Sequence, residues 1–163
     1  MHIRPACETD AAAIAEIYNY YIEETTITFE MEPVSAETMR ERIASISRDY
    51  KWIVAEDETS GKLLGYAYAG ILKARSAYRH SVETSIYLDK NCRSKGLGST
   101  LYQELIEQLK AMSIHTVIAI ITCPNEESEG FHRKHGFTKA GHLKETGFKF
   151  GRFIDVAYYQ LMI

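Results

Sequence analysis

The stretch Arg93-Ser94-Lys95-Gly96-Leu97-Gly98 has the composition of a phosphate-binding loop. An alternating, strand-like run precedes it, and the apolar spacing of an amphipathic helix follows it. Glycines turn the chain tightly and let an anion approach backbone N–H groups without a Cβ in the way. A helix that begins here adds unpaired N–H groups and the positive end of its dipole. The stretch therefore predicts a pyrophosphate site, and a solvated basic turn is the alternative.

Two other phosphate-binding motifs do not match the sequence of this loop. A Walker A loop ends in Gly-Lys-Ser or Gly-Lys-Thr, and neither ending occurs in the chain. A dinucleotide-binding fingerprint needs a third glycine where this chain has Leu101. Both classes of nucleotide-binding protein are therefore excluded on sequence.

The strand-like run before the loop, Ser81 to Leu88, contains an acidic residue. Alternation places Glu83, Ser85 and Tyr87 on one face, and the other face carries Val82, Thr84, Ile86 and Leu88. A carboxyl group inside a buried strand can act as a general base, because burial raises its pKa toward neutrality. The alternatives are a carboxylate that merely pairs with Arg75 or Arg79, and His80 as a rival base.

The rest of the chain supplies the elements that position these residues. Strands are predicted to start at Ile3 and to span Lys51 to Glu56, Lys62 to Leu72, Thr116 to Thr122, Phe137 to Leu143 and Phe153 to Met162. Helices are predicted from about Thr9 to Tyr21, from the N-cap Ser35 to Ser47, for about four turns through Leu101, Leu105, Leu109 and Met112, and from Ser128 to His135. This order predicts one mixed α+β domain over residues 1–163.

Composition is that of an ordinary globular protein, with 45% apolar and 25% charged residues. A net charge of −3 does not suggest nucleic-acid binding, and no apolar run is long enough to span a membrane. The three cysteines are scattered, which favours a reducing cytoplasm over a disulfide framework. No His and Cys cluster has metal-ligand spacing, so no metal is expected.

Several spaced motifs together resemble the GNAT N-acetyltransferases, and in particular the phosphinothricin and methionine sulfoximine acetyltransferase subgroup. The resemblance covers essentially the whole chain. The motifs are Ile3-Arg4-Pro5-Ala6, Thr28-Phe29-Glu30-x-Glu32-Pro33, Lys73-Ala74-Arg75-x-Ala77-Tyr78, Val82-Glu83-x-Ser85-Ile86-Tyr87, Arg93-x-x-Gly96-x-Gly98, Pro124-Asn125 and Asp155-Val156.

This resemblance implies a GNAT fold, in which helices flank a single, mostly antiparallel seven-strand sheet that is splayed at the acetyl-CoA site. The strand after the acidic residue pairs with pantetheine, the glycine loop holds the pyrophosphate, and an asparagine contacts the cofactor from the next strand. The implied acetyl-CoA ligands are Ile86, Tyr87, Leu88, Arg93, Ser94, Lys95, Gly96, Leu97, Gly98, Ser99 and Asn125.

The implied activity is direct acetyl transfer, in a ternary complex, to the α-amine of a small anionic amino acid or analogue. Glu83 is the implied general base, a backbone N–H near Tyr87 is the candidate oxyanion donor, and the general acid is unassigned. The implied substrate-binding residues are Phe29, Lys73, Ala74, Arg75, Tyr78, Glu83, Thr84 and Ser85. The resemblance also suggests a homodimer and a role in detoxifying compounds such as phosphinothricin.

One departure and three alternatives remain at this point. Phosphinothricin-detoxifying members often carry histidines where this chain has Phe150 and Ile154, so methionine sulfoximine, methionine sulfone or another small amino acid become equal contenders. A non-catalytic acyl-CoA sensor, or an enzyme that acetylates a protein N-terminus or lysine, would have the same phosphate-binding loop. The aromatic residues Phe153, Tyr158 and Tyr159 complete either a dimer interface or the core.

Overall fold

The computed structural model describes residues 1–92 and 95–163, so the predicted ligands Arg93 and Ser94 lie outside the described residues. The strands are β1 (His2–Pro5), β2 (Trp52–Glu56), β3 (Leu63–Ile71), β4 (Ser81–Leu88), β5 (Thr116–Cys123), β6 (Thr138–Lys149) and β7 (Arg152–Met162). The α-helices are α1 (Ala11–Glu24), α2 (Ala36–Ile46), α3 (Leu97–Ala111) and α4 (Glu126–Lys134). None of the helices in these two ranges combines the length and apolarity needed to cross a membrane.

All seven strands form one sheet in the order β1-β2-β3-β4-β5-β7-β6. Neighbours are antiparallel except β4 and β5, which run parallel. The parallel ladder ends at the pair Glu83–Ile118, although β4 continues to Leu88 and β5 to Cys123. The predicted mixed fold, with a mostly antiparallel seven-strand sheet flanked by helices, is confirmed, and its two central strands diverge beyond Glu83.

Helices cover both faces of the sheet and create two apolar cores. On one face, α3 buries Leu101, Leu105 and Leu109, and each such side chain contributes about 1.5–3 kcal/mol when removed from water. On the other face, α1 and α2 pack on a second core that contains Trp52 and Tyr66. Strand β4 faces both cores as its alternation predicted, with Val82, Ile86 and Leu88 toward the first and Tyr87 toward the second.

Side-chain caps decide where two of the helices begin. The hydroxyl of Ser35 accepts the N–H of Thr38 at 3.1 Å, so the predicted N-cap of α2 is confirmed. The prediction that α4 begins at Ser128 is wrong, because the helix starts at Glu126. Asn125 is its N-cap, and the side-chain oxygen accepts the N–H of Ser128 at 3.1 Å.

Strand β6 continues to Lys149, so the predicted end at Leu143 is wrong. The register between β6 and β7 shifts between Leu143 and Gly147, so the strand is irregular across the polar residues 144–146. The aromatic residues of β7 were expected to complete either the core or a dimer interface. Tyr159 is 1% exposed and belongs to the core. Phe153 is instead 64% exposed, with its ring 5.0 Å from that of Phe148.

Candidate active site

The divergence of β4 from β5 leaves backbone groups of β4 without a strand partner. The N–H of Asp89 donates to the carbonyl of Leu64 on β3 at 2.9 Å. Because backbone groups alternate in direction along a strand, those of Tyr87 face β3, and those of Ile86 and Leu88 face the opening. The hydroxyl of Tyr21 donates to the Leu88 carbonyl at 2.6 Å. The N–H groups of Ile86 and Leu88, not that of Tyr87, are therefore the donors that face the opening.

The helix after the predicted phosphate loop starts beside this opening. Gly96 is the N-cap of α3 and has φ 85°, a left-handed conformation that explains the glycine. The N–H groups of the first helical turn, at Leu97, Gly98 and Ser99, have no partner within a helix. A Cβ on Gly98 would lie 3.4 Å from Leu88 Cδ1 and 3.9 Å from Ile86 Cδ1. The structure therefore brings the start of α3 against the same strand residues that border the opening.

Asn125 lies at the end of β5, on the other side of the divergence. Its side-chain oxygen accepts the α4 cap bond, and its side-chain NH2 group remains available to donate to a ligand. Asn125 also lines a cavity of about 320 Å³ between the end of α1, the end of β5 and the β6–β7 turn. The other lining residues are Glu24, Thr25, Thr26, Ile27, Thr122, Pro124, Phe150 and Arg152.

Glu83 is half-buried at the point of divergence. Burial raises the pKa of its carboxyl group above the ordinary value, and nearby Lys73 opposes the rise. Within residues 1–92 and 95–163 Glu83 forms no ion pair, so pairing with Arg75 or Arg79 is not observed. The rival base His80 is exposed, and its Nδ1 lies 2.8 Å from the carbonyl oxygen of Ser113.

A group of tyrosines that was not predicted from the sequence packs around the face of β4 that carries Glu83. Tyr68 lies opposite Ser85 in the β3–β4 register. Burial raises the pKa of the Tyr68 phenol, the neighbouring Ser85 hydroxyl opposes this, and the Glu83 charge raises it further. Strand alternation on β3 was the signal that could have placed Tyr68 next to Glu83.

The segment between α1 and α2 crosses this face and carries Phe29. Glu30 accepts two hydrogen bonds from Arg42, at 2.6 and 3.1 Å, and one from the Tyr18 hydroxyl at 3.1 Å. At its other side the segment reaches β6, where a Cβ on Gly147 would overlap the Phe29 ring. The segment therefore spans from the tyrosines beside β4 to the β6–β7 hairpin.

The predicted acceptor residues fall into two groups. Lys73, Ala74, Arg75 and Tyr78 are exposed on the segment between β3 and β4, and Lys73 is close enough to influence the Glu83 carboxyl group. Thr84 is buried on the opposite face, where its hydroxyl lies 2.7 Å from the Tyr102 hydroxyl. The structure thus brings Lys73 and Ser85 near Glu83, and it does not bring the Thr84 side chain there.

An opened mixed sheet with a glycine-capped helix start beside the opening is the arrangement expected of an acetyl-CoA-dependent acetyltransferase. The family profile described as Acetyltransferase (GNAT) domain matches residues 3–158. The chain therefore belongs to the GNAT acetyltransferase family.

Curated relatives cover nearly the whole chain. A phosphinothricin N-acetyltransferase of Streptomyces coelicolor is 40% identical over 98% of this chain and 95% of its own length. An L-methionine sulfoximine/L-methionine sulfone acetyltransferase of Pseudomonas paraeruginosa is 35% identical over 98% of this chain and 92% of its own.

Solved structures match the fold closely. A ribosomal-protein-alanine N-acetyltransferase from Brucella melitensis superposes with a TM-score of 0.96 at 36% identity, over 100% of both chains. A phosphinothricin acetyltransferase from Sinorhizobium meliloti, solved in complex with acetyl-CoA, gives 0.94 at 38% identity over 99% of this chain and 88% of that one. Within the residues described for this chain, no group of three or more His, Cys, Asp or Glu side chains could hold a metal ion.

Proposed function

We propose that this acetyltransferase moves the acetyl group of acetyl-CoA directly to the α-amine of a small anionic amino acid or analogue, with Glu83 as general base. The observation that carries the proposal is the position of Glu83 at the last pair of the β4–β5 ladder, half-buried and with a raised pKa. A carboxyl group in this state can accept a proton at a pH where an exposed glutamate is a poorer base.

The chemistry requires a neutral amine, and an α-amino group with a pKa near 8 is mostly protonated at neutral pH. Glu83 removes that proton, directly or through a water molecule. As the nitrogen attacks the thioester carbon, negative charge develops on the carbonyl oxygen, and the N–H groups of Ile86 and Leu88 are the candidate donors to it. The carbon–sulfur bond then breaks, CoA leaves as the thiolate, and the nitrogen gives up its second proton, which protonates the thiolate directly or through water.

The donor side of the proposed site fits acetyl-CoA. Lys95, Gly96, Leu97, Gly98 and Ser99 are proposed at the pyrophosphate, because the open N-cap of α3 exposes N–H groups there. Ile86, Tyr87 and Leu88 are proposed along the pantetheine arm, and the Asn125 NH2 group is proposed on the opposite wall. Arg93 and Ser94 remain predictions from the sequence.

The acceptor side is proposed to recognise an anionic group through Lys73 and Arg75. Guanidinium offers a planar fork to a carboxylate, both side chains are exposed, and Lys73 lies near Glu83. Phe29, Tyr78 and Ser85 are proposed to line the same site. Phe150 makes the nearby cavity wall more apolar, which suits methionine sulfoximine or methionine sulfone at least as well as phosphinothricin.

A second candidate acceptor is a protein N-terminus, and the similarity to a ribosomal-protein-alanine N-acetyltransferase favours it. The compact pair of cations favours the small acceptor. A non-catalytic acyl-CoA sensor would need no base, so the placement of Glu83 argues against it.

Release of free CoA from acetyl-CoA tests the proposal, with phosphinothricin, methionine sulfoximine, methionine sulfone, the common amino acids and an N-terminal alanine peptide as acceptors. We expect release with small amino acids or analogues and mass-spectrometric detection of their N-acetyl products. Release of CoA with the peptide but with none of the amino acids would show that the acceptor is a protein N-terminus and not a small amino acid. Binding of acetyl-CoA without release for any amine would contradict the enzymatic role.

We further propose that the chain forms a homodimer in the cytoplasm. The exposed pair Phe148 and Phe153 offers an apolar contact surface on the β6–β7 hairpin. Free Cys7, Cys92 and Cys123 fit a reducing compartment. Light scattering should give twice the chain mass for the wild type, and a shift toward the monomer for Phe153→Ser.

A further inference from the structure

Lys149 is a lysine that the fold buries almost completely. Its side chain is 1% exposed although it lies next to the β6–β7 turn. Its Nζ donates a 2.8 Å hydrogen bond to the backbone carbonyl of Thr28, a residue 121 positions earlier in the chain. Lysine is almost never fully buried without a compensating partner, because its charge loses its hydration. The contacts around Lys149 must therefore offset the cost of burying its charge.

The surroundings of the Lys149 ammonium group compensate its burial only in part. Burial lowers the pKa of Lys149, and the carboxylate of Glu30 opposes the decrease. The Phe150 ring centroid lies 5.1 Å from Nζ. Among the described residues Lys149 forms no ion pair, because Glu30 pairs with Arg42, and its Nζ donates to the Thr28 carbonyl.

The hydrogen bond from Lys149 lies beside the contact between Phe29 and Gly147. Phe29 follows Thr28 directly, and Gly147 precedes Lys149 by two positions, which places both on the same side of β6. The Phe29 ring occupies the space that any side chain at position 147 would need. The Thr28 hydroxyl is held on the other side by the Tyr18 hydroxyl, at 2.7 Å. Thr28 is therefore held from α1 and from β6 at once.

We propose that Lys149 is a positioning residue for acceptor binding, which acts through Thr28 to seat Phe29 against Gly147 over the divergence of β4 and β5. The inference rests on the proposed function, because Phe29 is placed there beside the acceptor. Lys149 itself does not contact the reacting atoms in this account. The segment that carries Phe29 is then a fixed wall of the acceptor site.

A role in stability alone predicts a different result on substitution. Lys149→Met removes the cost of burying a charge, and this offsets the hydrogen bond that the Thr28 carbonyl loses. Lys149→Met should therefore fold with a melting temperature close to that of the wild type. The loss should appear instead in the KM of the acceptor, since Phe29 is no longer held in place.

The test compares Lys149→Met with Lys144→Met, which makes the same change at an exposed lysine of β6. Steady-state release of CoA is measured while each substrate is varied separately. For Lys149→Met we expect the acceptor KM to rise about tenfold or more, as for loss of a charged hydrogen bond, with the acetyl-CoA KM within about twofold. Lys144→Met should change neither KM.

A double-mutant cycle with Phe29→Ala separates positioning from a general disturbance. If Lys149 acts through Phe29, Lys149→Met should add little to the acceptor KM of Phe29→Ala. Fully additive effects, an unchanged acceptor KM, or a Lys149→Met protein that does not fold would each overturn the proposal. Absence of CoA release by the wild type would instead contradict the proposed function, so the two failures are distinguishable.

Discussion

Glu83 and Ile118 form the last residue pair of the parallel ladder between β4 and β5. Beyond this pair the two strands separate, and the N–H groups of Ile86 and Leu88 face the gap. The carboxyl group is thus attached to the last fixed point of the sheet, on the face lined by Tyr68 and Tyr87. This placement explains its partial burial, and with it the raised pKa.

The pH dependence of kcat should report this carboxyl group. With both substrates saturating, kcat should rise with pH through the Glu83 pKa, above the value of about 4.3 for an exposed glutamate. Lys73 lowers the pKa of Glu83, so Lys73→Met should shift this rise to higher pH. Lys144→Met should leave the midpoint unchanged. A midpoint that stays in place or moves to lower pH in Lys73→Met would contradict the electrostatic assignment.

Glu83→Gln should also change how stability depends on pH. The pKa of Glu83 is raised in the folded state. The protonated carboxyl group therefore contributes fully to the free energy of unfolding below about pH 4, and this contribution is lost as pH rises through the folded-state pKa. The neutral glutamine does not titrate. Scanning calorimetry should therefore show a melting-temperature gain for Glu83→Gln at neutral pH that shrinks toward acid pH. Glu41→Gln, on the exposed face of α2, should show no such trend, and a gain independent of pH would argue against burial as the cause.

Arg75→Met should weaken the acceptor and spare the donor. Loss of a charged, bidentate hydrogen bond should raise the acceptor KM by about 10- to 100-fold, while the acetyl-CoA KM stays within about twofold. Arg79→Met is the matched control, because Arg79 is also exposed on this segment. Equal effects of the two substitutions would mean that net charge, and not a specific contact, attracts the acceptor.

Gly98→Ala should separate folding from cofactor binding. The new Cβ would lie 3.4 Å from Leu88 Cδ1 and 3.5 Å from a Phe131 ring carbon, which is ordinary contact. Alanine is a better helix former than glycine by about 1 kcal/mol, so the free energy of unfolding should stay equal or rise. The methyl group borders the proposed path of acetyl-CoA, whose Kd by calorimetry should rise by about tenfold, equivalent to 1.4 kcal/mol. Gly141→Ala on β6 is the control, and an unchanged Kd in Gly98→Ala would move the cofactor away from this turn.

Local patterns predicted the elements that form the site. The bounds of β4 follow from alternation over Ser81 to Leu88, and the Ser35 cap follows from a residue type that prefers that position. Glu83 stood out because an acidic residue interrupts a buried strand. These features depend on neighbours in sequence, so the chain itself displays them.

Features that depend on distant contacts were not predictable in the same way. The hydrogen bond from Lys149 to Thr28 joins residues 121 positions apart, and its existence depends on the full length of β6. That length was missed because the register shift before Gly147 hides the alternation. Asn125 was expected to contact the cofactor, but its role as the α4 cap was not foreseen, because the helix was predicted to begin at Ser128.

The most direct measurement of the central claim is the turnover of Glu83→Gln with a good acceptor, alongside its affinity for acetyl-CoA. Removal of a general base should lower kcat by about 10²- to 10⁴-fold. The calorimetric Kd for acetyl-CoA should stay within about twofold of the wild type, as for the control Glu41→Gln, since no proposed donor contact involves the Glu83 side chain. A Glu83→Gln enzyme that retains wild-type kcat would show that another group accepts the proton, and would contradict the account.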